Sequence, residues 1–81
     1  MTREEIKAAV LEEIANIAPE ADLANLDPAD DIRDVLDMDS MDVMNLVIAL
    51  HKRLHVDIPD ADAARFVTVD GAVGHLSARL A

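Results

Sequence analysis

Apolar side chains recur every three or four residues in three separate stretches, and this spacing constrains the fold more than any other feature. Such spacing places them on one face of an α-helix. The only aromatic residue is Phe66, so the core must be aliphatic, which suits helix packing better than a β-sandwich. The stretches comprise Ile6, Val10, Ile14 and Ile17 or Ala18; Leu46, Val47, Leu50 and Leu54; and Val69, Val73, Leu76 and Leu80.

Capping signals predict where the first two helices begin. Thr2 followed by Glu5 fits a capping box, so a first helix starts after Thr2 and is bounded by Pro19. Asp39 and Asp42 make a similar arrangement. A second helix therefore runs from about Ser40 to Leu54, with Ser40 as its first helical residue.

Two further helices are predicted in the last third of the chain. The segment HVDIPD, residues 55–60, breaks the second helix, and Pro59 can stand at the start of a short third helix, DADAARF. Thr68 then caps the last helix. Gly71 and Gly74 each cost that helix about 0.5–1 kcal/mol relative to Ala, so we expect it to be the least stable element.

Residues 19–38 form the long connection between the first two helices. They contain two prolines and seven acidic residues, with aliphatic side chains scattered among them that can pin the loop across the helices. We therefore predict an all-α fold, a small four-helix bundle of three longer helices and one short helix. Residues 1–81 are expected to form a single domain.

The charge distribution bounds the class of partner. The net charge is −10, and residues 1–40 account for −9 of it. An acidic surface repels nucleic acid and anionic membranes and attracts basic protein patches. The chain has no cysteine, no signal-peptide pattern and no apolar run of membrane-spanning length. We expect a soluble, cytoplasmic monomer.

Ser40 is the residue whose chemistry is least explained by the fold. Its hydroxyl projects from the positive end of a helix dipole, where an anionic substituent such as a phosphate is favoured. A catalytic nucleophile needs a base within hydrogen-bond reach. His51 lies about 16 Å along the same helix at about 1.5 Å per residue, and no Gly-rich elbow surrounds the serine. From spacing alone, a polar helix-start residue remains the simpler interpretation.

Metal binding has weak support in the sequence. The acidic stretch DPADDIRDVLDMD, residues 27–39, lacks the order of an EF-hand loop, so only weak divalent-cation binding is plausible. His51, His55 and His75 lack metal-ligand spacing and are expected at the surface. Beside the apolar face of the second helix lies a further group of apolar residues, the apolar arc of Met41, Met44 and Ile48. These residues either belong to the core or form a docking surface.

Three segments together resemble the acyl carrier proteins, and the resemblance covers essentially the whole chain. They are LDMDSMDVMNLVIAL (36–50), VDIPDADA (56–63) and TVDGAVGHL (68–76). The resemblance implies that a phosphopantetheinyl transferase attaches 4′-phosphopantetheine from coenzyme A to Ser40. The thiol of this arm would carry acyl or aminoacyl groups as thioesters, and the chain would catalyse nothing itself.

The resemblance also implies two sets of supporting residues. By resemblance, Asp39 and Asp42 are expected to help the transferase recognise the site. The apolar arc and the departures from the family pattern add Met41, Met44, Asn45, Ile48, Lys52 and Arg53 as residues expected to meet acyl-transferring or acyl-activating enzymes. The acyl pocket is expected to be lined by Val47, Leu50, Ile58, Phe66 and Leu76.

The chain departs from the family pattern at two places. Asp37 stands where the family usually has Gly, and the usually acidic second helix has neutral Asn45 and then HKR, residues 51–53. Positive charge there repels a basic partner and attracts an acidic one. A specialised carrier in lipid or secondary metabolism is therefore expected. An aminoacyl or peptidyl carrier, and an unmodified carrier-like interaction or structural subunit, remain open.

Overall fold

The computed structural model describes residues 1–80, and its regular elements are all helical. In chain order they are α1 (Arg3–Ile17), a 3₁₀ turn (Leu23–Asn25), α2 (Ile32–Val35), α3 (Ser40–Leu54), a 3₁₀ helix (Asp60–Val67) and α4 (Val69–Leu80). The predicted all-α fold with a long connection after the first helix is confirmed. The predicted short third helix has 3₁₀ geometry, and α2 is one additional turn within the long connection.

Both predicted capping boxes are present, and they fix where α1 and α3 begin. The Thr2 hydroxyl accepts a hydrogen bond from the Glu5 amide at 3.1 Å, and the Glu5 carboxylate accepts one from the Thr2 amide at 2.8 Å. At its other end α3 stops at His55, whose φ of 55° lies in the left-handed region that ends helices. Local sequence therefore determines these helix bounds.

The apolar faces of the helices meet in one core. α1 packs on α3 and on α4, and the 3₁₀ helix packs on α3 and α4. Leu54 and Leu80, at the ends of their apolar faces, are only half-buried. No helix within residues 1–80 is long and apolar enough to cross a membrane. The largest fully buried side chains are Ile6, Val10, Ile14, Ile32, Leu46, Leu50, Phe66, Val69 and Leu76.

The long connection is held against the helices at several points. Ile32 is fully buried and Met38 is 5% exposed, while Leu23 and Leu26 pack on the edge of the core. The Pro28 carbonyl accepts a hydrogen bond from the Asp70 amide of α4 at 2.9 Å. The predicted pinning of this loop by its scattered aliphatic side chains is confirmed.

Two predictions about α4 and its surroundings are wrong. A Cβ at Gly71 would overlap the carbonyl oxygen of Arg65, so glycine permits a close backbone approach there rather than simply costing stability. Gly74 has open space around it and fits the prediction. His75 is 4% exposed instead of lying at the surface, because it faces the core beside Ala72 and Leu76. His51 and His55 are exposed, as predicted.

Candidate functional site

The start of α3 presents Ser40 on a rigid support. Asp39 Oδ1 accepts a hydrogen bond from the Asp42 amide at 2.9 Å, and Asp42 Oδ2 accepts one from the Asp39 amide at 3.1 Å. These bonds satisfy two backbone donors at the helix start and hold its first turn. Ser40 is the first helical residue and is exposed. The hydroxyl is therefore accessible at the positive end of a 15-residue helix.

Asp37 gives the backbone its direction into this helix. Its φ is 55°, in the left-handed region that glycine adopts without cost and that Asp and Asn tolerate better than most other residues. The resemblance to the acyl carrier proteins places Gly at this position. Asp37 therefore adopts, in this chain, a backbone conformation that suits the Gly of the family pattern.

A small cavity of about 170 Å³ opens beside Ser40. Ser40, Val43 and Met44 of α3 form one wall, and Ala63, Ala64 and Val67 of the 3₁₀ helix form the other, with Arg33 at the edge. The lining is mostly apolar, so the cavity can shelter a short hydrocarbon group. We call it the serine cavity.

A second groove of about 360 Å³ lies further along α3. It runs between α3 and residues 57–60, and Met44 contributes to both this groove and the serine cavity. Val47 and Ile58 from the predicted acyl pocket line the groove. The other three predicted pocket residues, Leu50, Phe66 and Leu76, are fully buried in the core and line neither space.

Sequence reasoning missed most of the serine cavity. Val43 could have been found, because residues i and i+3 share a helix face and Val43 follows Ser40 by three positions. Ala63, Ala64 and Val67 reach the site only because the 3₁₀ helix packs on α3. No periodic pattern in the sequence specifies that contact.

The apolar arc beside Ser40 is partly exposed. Met41 is 66% exposed and Ile48 is 45% exposed, while Met44 is half-buried between the two spaces. Val43, Leu46, Val47 and Leu50 supply the buried face of α3 instead. Of the two interpretations open at the sequence level, the docking surface fits Met41 and Ile48.

The two basic residues at the end of α3 differ in their contacts. Arg53 donates to Glu13 at 2.8 Å and to Glu12 at 3.2 Å, which links α3 to α1. Hydrogen bonds to Glu13 and then Glu12 raise the pKa of Arg53 above its ordinary value. Lys52 is exposed and forms no ion pair within residues 1–80. Lys52 is thus the more available positive charge on this surface.

No histidine is among the residues that line the serine cavity. Among residues 1–80, no three His, Asp or Glu side chains come together in a way that could hold a metal ion. A further groove, about 730 Å³, lies along the long connection and is bordered by Glu20, Asp22, Asp30 and Asp37.

Comparisons with known proteins identify the class of site. Residues 6–76 match the family model described as a phosphopantetheine attachment site. The acyl carrier protein of Helicobacter hepaticus is 32% identical over 77 residues, covering 95% of both chains. That of Campylobacter jejuni is 31% identical over 75 residues, covering 93% of this chain and 91% of its own. That of Helicobacter pylori is 30% identical over 73 residues, covering 90% of this chain and 87% of its own.

The chain therefore contains a phosphopantetheine-binding domain, and it belongs to the acyl carrier protein family. Members of this class carry their cargo and leave the chemistry to other proteins. The family's cofactor is 4′-phosphopantetheine. The exposed Ser40 hydroxyl at the start of a long helix, next to an apolar cavity, fits the phosphate and pantetheine portions of that group.

Proposed function

We propose that Ser40 is the attachment residue for 4′-phosphopantetheine and that the chain presents acyl groups to partner enzymes. The observation that carries this proposal is the position of Ser40, exposed as the first residue of α3 and lining an apolar cavity. The arm, when attached, supplies a thiol that holds the acyl group as a thioester. The chain supplies recognition and raises the effective concentration of the cargo near the partner.

Each part of the α3 start has a role in this proposal. Asp39 and Asp42 hold the first turn, so the transferase meets Ser40 in one conformation. The helix dipole and the free amides of the first turn stabilise the phosphodiester. The serine cavity excludes water from the apolar part of a short cargo. Val47 and Ile58 offer further apolar surface in the neighbouring groove, while Leu50, Phe66 and Leu76 form the packed core behind both spaces.

Partner enzymes are proposed to dock on the exposed side of α3. Met41 and Ile48 provide apolar anchors, and Met44 can adapt its flexible side chain between the two spaces. Asn45 is neutral and Lys52 is positive, so this surface favours a partner with an acidic patch over one with a basic patch. Arg53 contributes less to docking, since Glu12 and Glu13 occupy its guanidinium.

The attachment is tested by intact-mass spectrometry after incubation with coenzyme A and a broad-specificity phosphopantetheinyl transferase. The chain has two serines, Ser40 and Ser77, which provide a matched pair. The wild type and Ser77→Ala should gain the mass of one arm, and Ser40→Ala should gain none. If the wild type gains no mass with any transferase, the chain is an unmodified carrier-like subunit and the proposal fails.

The docking preference is tested by charge reversal at neighbouring positions. Lys52→Glu should increase acyl transfer from enzymes with a basic docking patch and weaken transfer involving the native partner. Arg53→Glu should change selectivity less and lower stability instead, because it places a third carboxylate beside Glu12 and Glu13. Equal selectivity in the wild type and Lys52→Glu would remove Lys52 from the docking surface.

A further inference from the structure

The serine cavity is small for a carrier's cargo. Its volume of about 170 Å³ is less than half that of the neighbouring groove, about 360 Å³. A longer hydrocarbon chain must either extend past Met44 into the neighbouring groove or be sheltered by a separation of the two walls.

The α3 wall is anchored more firmly than the opposite wall. Val43, Leu46, Val47 and Leu50 fix α3 in the core. The 3₁₀ helix has eight residues, of which Phe66 alone is buried. Its hydrogen-bond geometry is also poorer than that of an α-helix. The 3₁₀ helix would therefore lose fewer buried contacts than α3 if it moved.

One side-chain contact ties this movable wall to α4. Asp62 stands immediately before Ala63, which lines the serine cavity. Asp62 Oδ2 lies 3.1 Å from His75 Nε2 and 3.7 Å from the guanidinium of Arg79. The His75 ring also packs edge-on against Phe66, with ring centroids 5.3 Å apart. Asp62 and Phe66 of the 3₁₀ helix are thus held against α4 by His75 and Arg79.

The geometry also indicates which ring nitrogen of His75 makes the contact. The ring is 4% exposed, and its Nδ1 is buried with no hydrogen-bond partner among residues 1–80. Nε2 lies 3.1 Å from Asp62 Oδ2, and because a carboxylate oxygen accepts, Nε2 donates this hydrogen bond.

We propose that Asp62 and His75 are a positioning pair that sets the width of the serine cavity and hence the length of acyl chain it shelters. The pair holds the 3₁₀ helix on α4 and keeps the cavity suited to short chains. Releasing it lets the wall move away from α3 and admits longer chains. This inference rests on the proposed attachment of the arm to Ser40.

The variants separate loss of the contact from loss of packing. Asp62→Ala removes the acceptor, and His75→Phe keeps an aromatic ring beside Phe66 but removes Nε2. Asp62→Asn keeps an oxygen that can accept from Nε2 and should behave like the wild type. Arg65→Ala is the control, because Arg65 is an exposed charged residue of the same 3₁₀ helix that lines neither the serine cavity nor the neighbouring groove and does not contact His75.

The readout is the rate at which hydroxylamine cleaves butanoyl and dodecanoyl thioesters on the loaded proteins. The wild type should protect the butanoyl thioester better than the dodecanoyl one. Asp62→Ala and His75→Phe should reduce this preference at least threefold, with Asp62→Asn and Arg65→Ala close to the wild type. A preference unchanged in both release variants, or changed equally in Arg65→Ala, would overturn the positioning role.

Amide hydrogen exchange on the unloaded proteins distinguishes failure of the positioning pair from failure of the proposed attachment at Ser40. Residues 60–67 should exchange at least threefold faster in Asp62→Ala and His75→Phe, while α1 is unchanged. Unchanged exchange there overturns the positioning pair even if loading succeeds. Failure of the wild type to accept the arm overturns the proposed function, and the inference about cargo length with it.

Discussion

α1 and α3 begin in nearly the same way but differ in what surrounds their first turns. Each has 15 residues and a complete capping box, formed by Thr2 and Glu5 in one and by Asp39 and Asp42 in the other. The first helical residue is Arg3 in α1 and Ser40 in α3. Neither the serine cavity nor the neighbouring groove includes a residue from the first turn of α1.

This difference indicates which features, besides the helix start itself, support the proposed attachment site at Ser40. Free amides and a dipole are common to both helices. Only α3 combines them with an exposed hydroxyl, an apolar cavity and exposed apolar side chains such as Met41. In the proposed function, it is the surroundings of the helix start, which the tertiary fold provides, that distinguish α3 from α1.

Breaking the two capping boxes in parallel should give the largest contrast. Thr2→Ala and Asp39→Ala should each lower the free energy of unfolding by about 1 kcal/mol. Asp39→Ala should also slow attachment of the arm, on the order of tenfold if a comparable loss falls on the transition state. Thr2→Ala should leave the attachment rate unchanged. Urea unfolding and a timed mass-spectrometric assay measure the two effects, and equal attachment rates would contradict the account.

Removing an exposed apolar side chain next to Ser40 should give a smaller effect. Met41 is 66% exposed, so Met41→Gln should change the free energy of unfolding by less than about 0.5 kcal/mol. It should nevertheless slow arm attachment severalfold, because the transferase loses an apolar contact. Unfolding and attachment rates measured on one preparation separate the two quantities. A wild-type attachment rate would remove Met41 from the docking surface.

Lowering the pH should weaken the capping box at the start of α1, because the Glu5 carboxylate becomes protonated. The backbone amide of Thr2 and then its hydroxyl hydrogen-bond to Glu5 and hold the pKa of this carboxyl below its ordinary value. A carboxyl whose pKa is lowered by folding stabilises the native state above its unfolded pKa, and this contribution is lost as the pH falls through the folded pKa. Glu5→Ala should therefore be destabilising at neutral pH.

The same variant should match the wild type once the pH is below the lowered pKa of Glu5. Urea unfolding at several pH values measures the difference. Glu4→Ala serves as the control, since Glu4 lies in the same turn but outside the capping box. A difference between Glu5→Ala and the wild type that persists unchanged in acid would contradict this origin.

Placing a serine at the start of α1 should have no effect on attachment. Arg3→Ser in a Ser40→Ala background gives α1 a capping box followed by serine, as in α3. The transferase should still add no arm, because the cavity and the apolar anchors are missing. Mass spectrometry after prolonged incubation tests this. Attachment to this variant would mean that a capped helix with a leading serine is sufficient.

The similar starts of α1 and α3 could be predicted from the sequence, because they depend on residues that are close together in the chain. Both capping boxes, the position of Ser40 and the end of α3 follow from local rules. Contacts between distant segments were not available. Arg53 reaches Glu12 and Glu13 across about forty residues, and His75 is buried because Asp62 and Phe66 pack over it. Those contacts depend on how the helices pack, which periodicity alone does not specify.

The central claim is that Ser40 carries the arm, and peptide mapping of the modified protein tests it most directly. Trypsin cleaves after Arg33 and Lys52, and in the released peptide, residues 34–52, Ser40 is the only side chain with a hydroxyl. After treatment with coenzyme A and transferase, this peptide should gain the mass of one phosphopantetheine arm. An unmodified peptide 34–52 with the added mass on residues 66–79, which contain Thr68 and Ser77, would contradict the account.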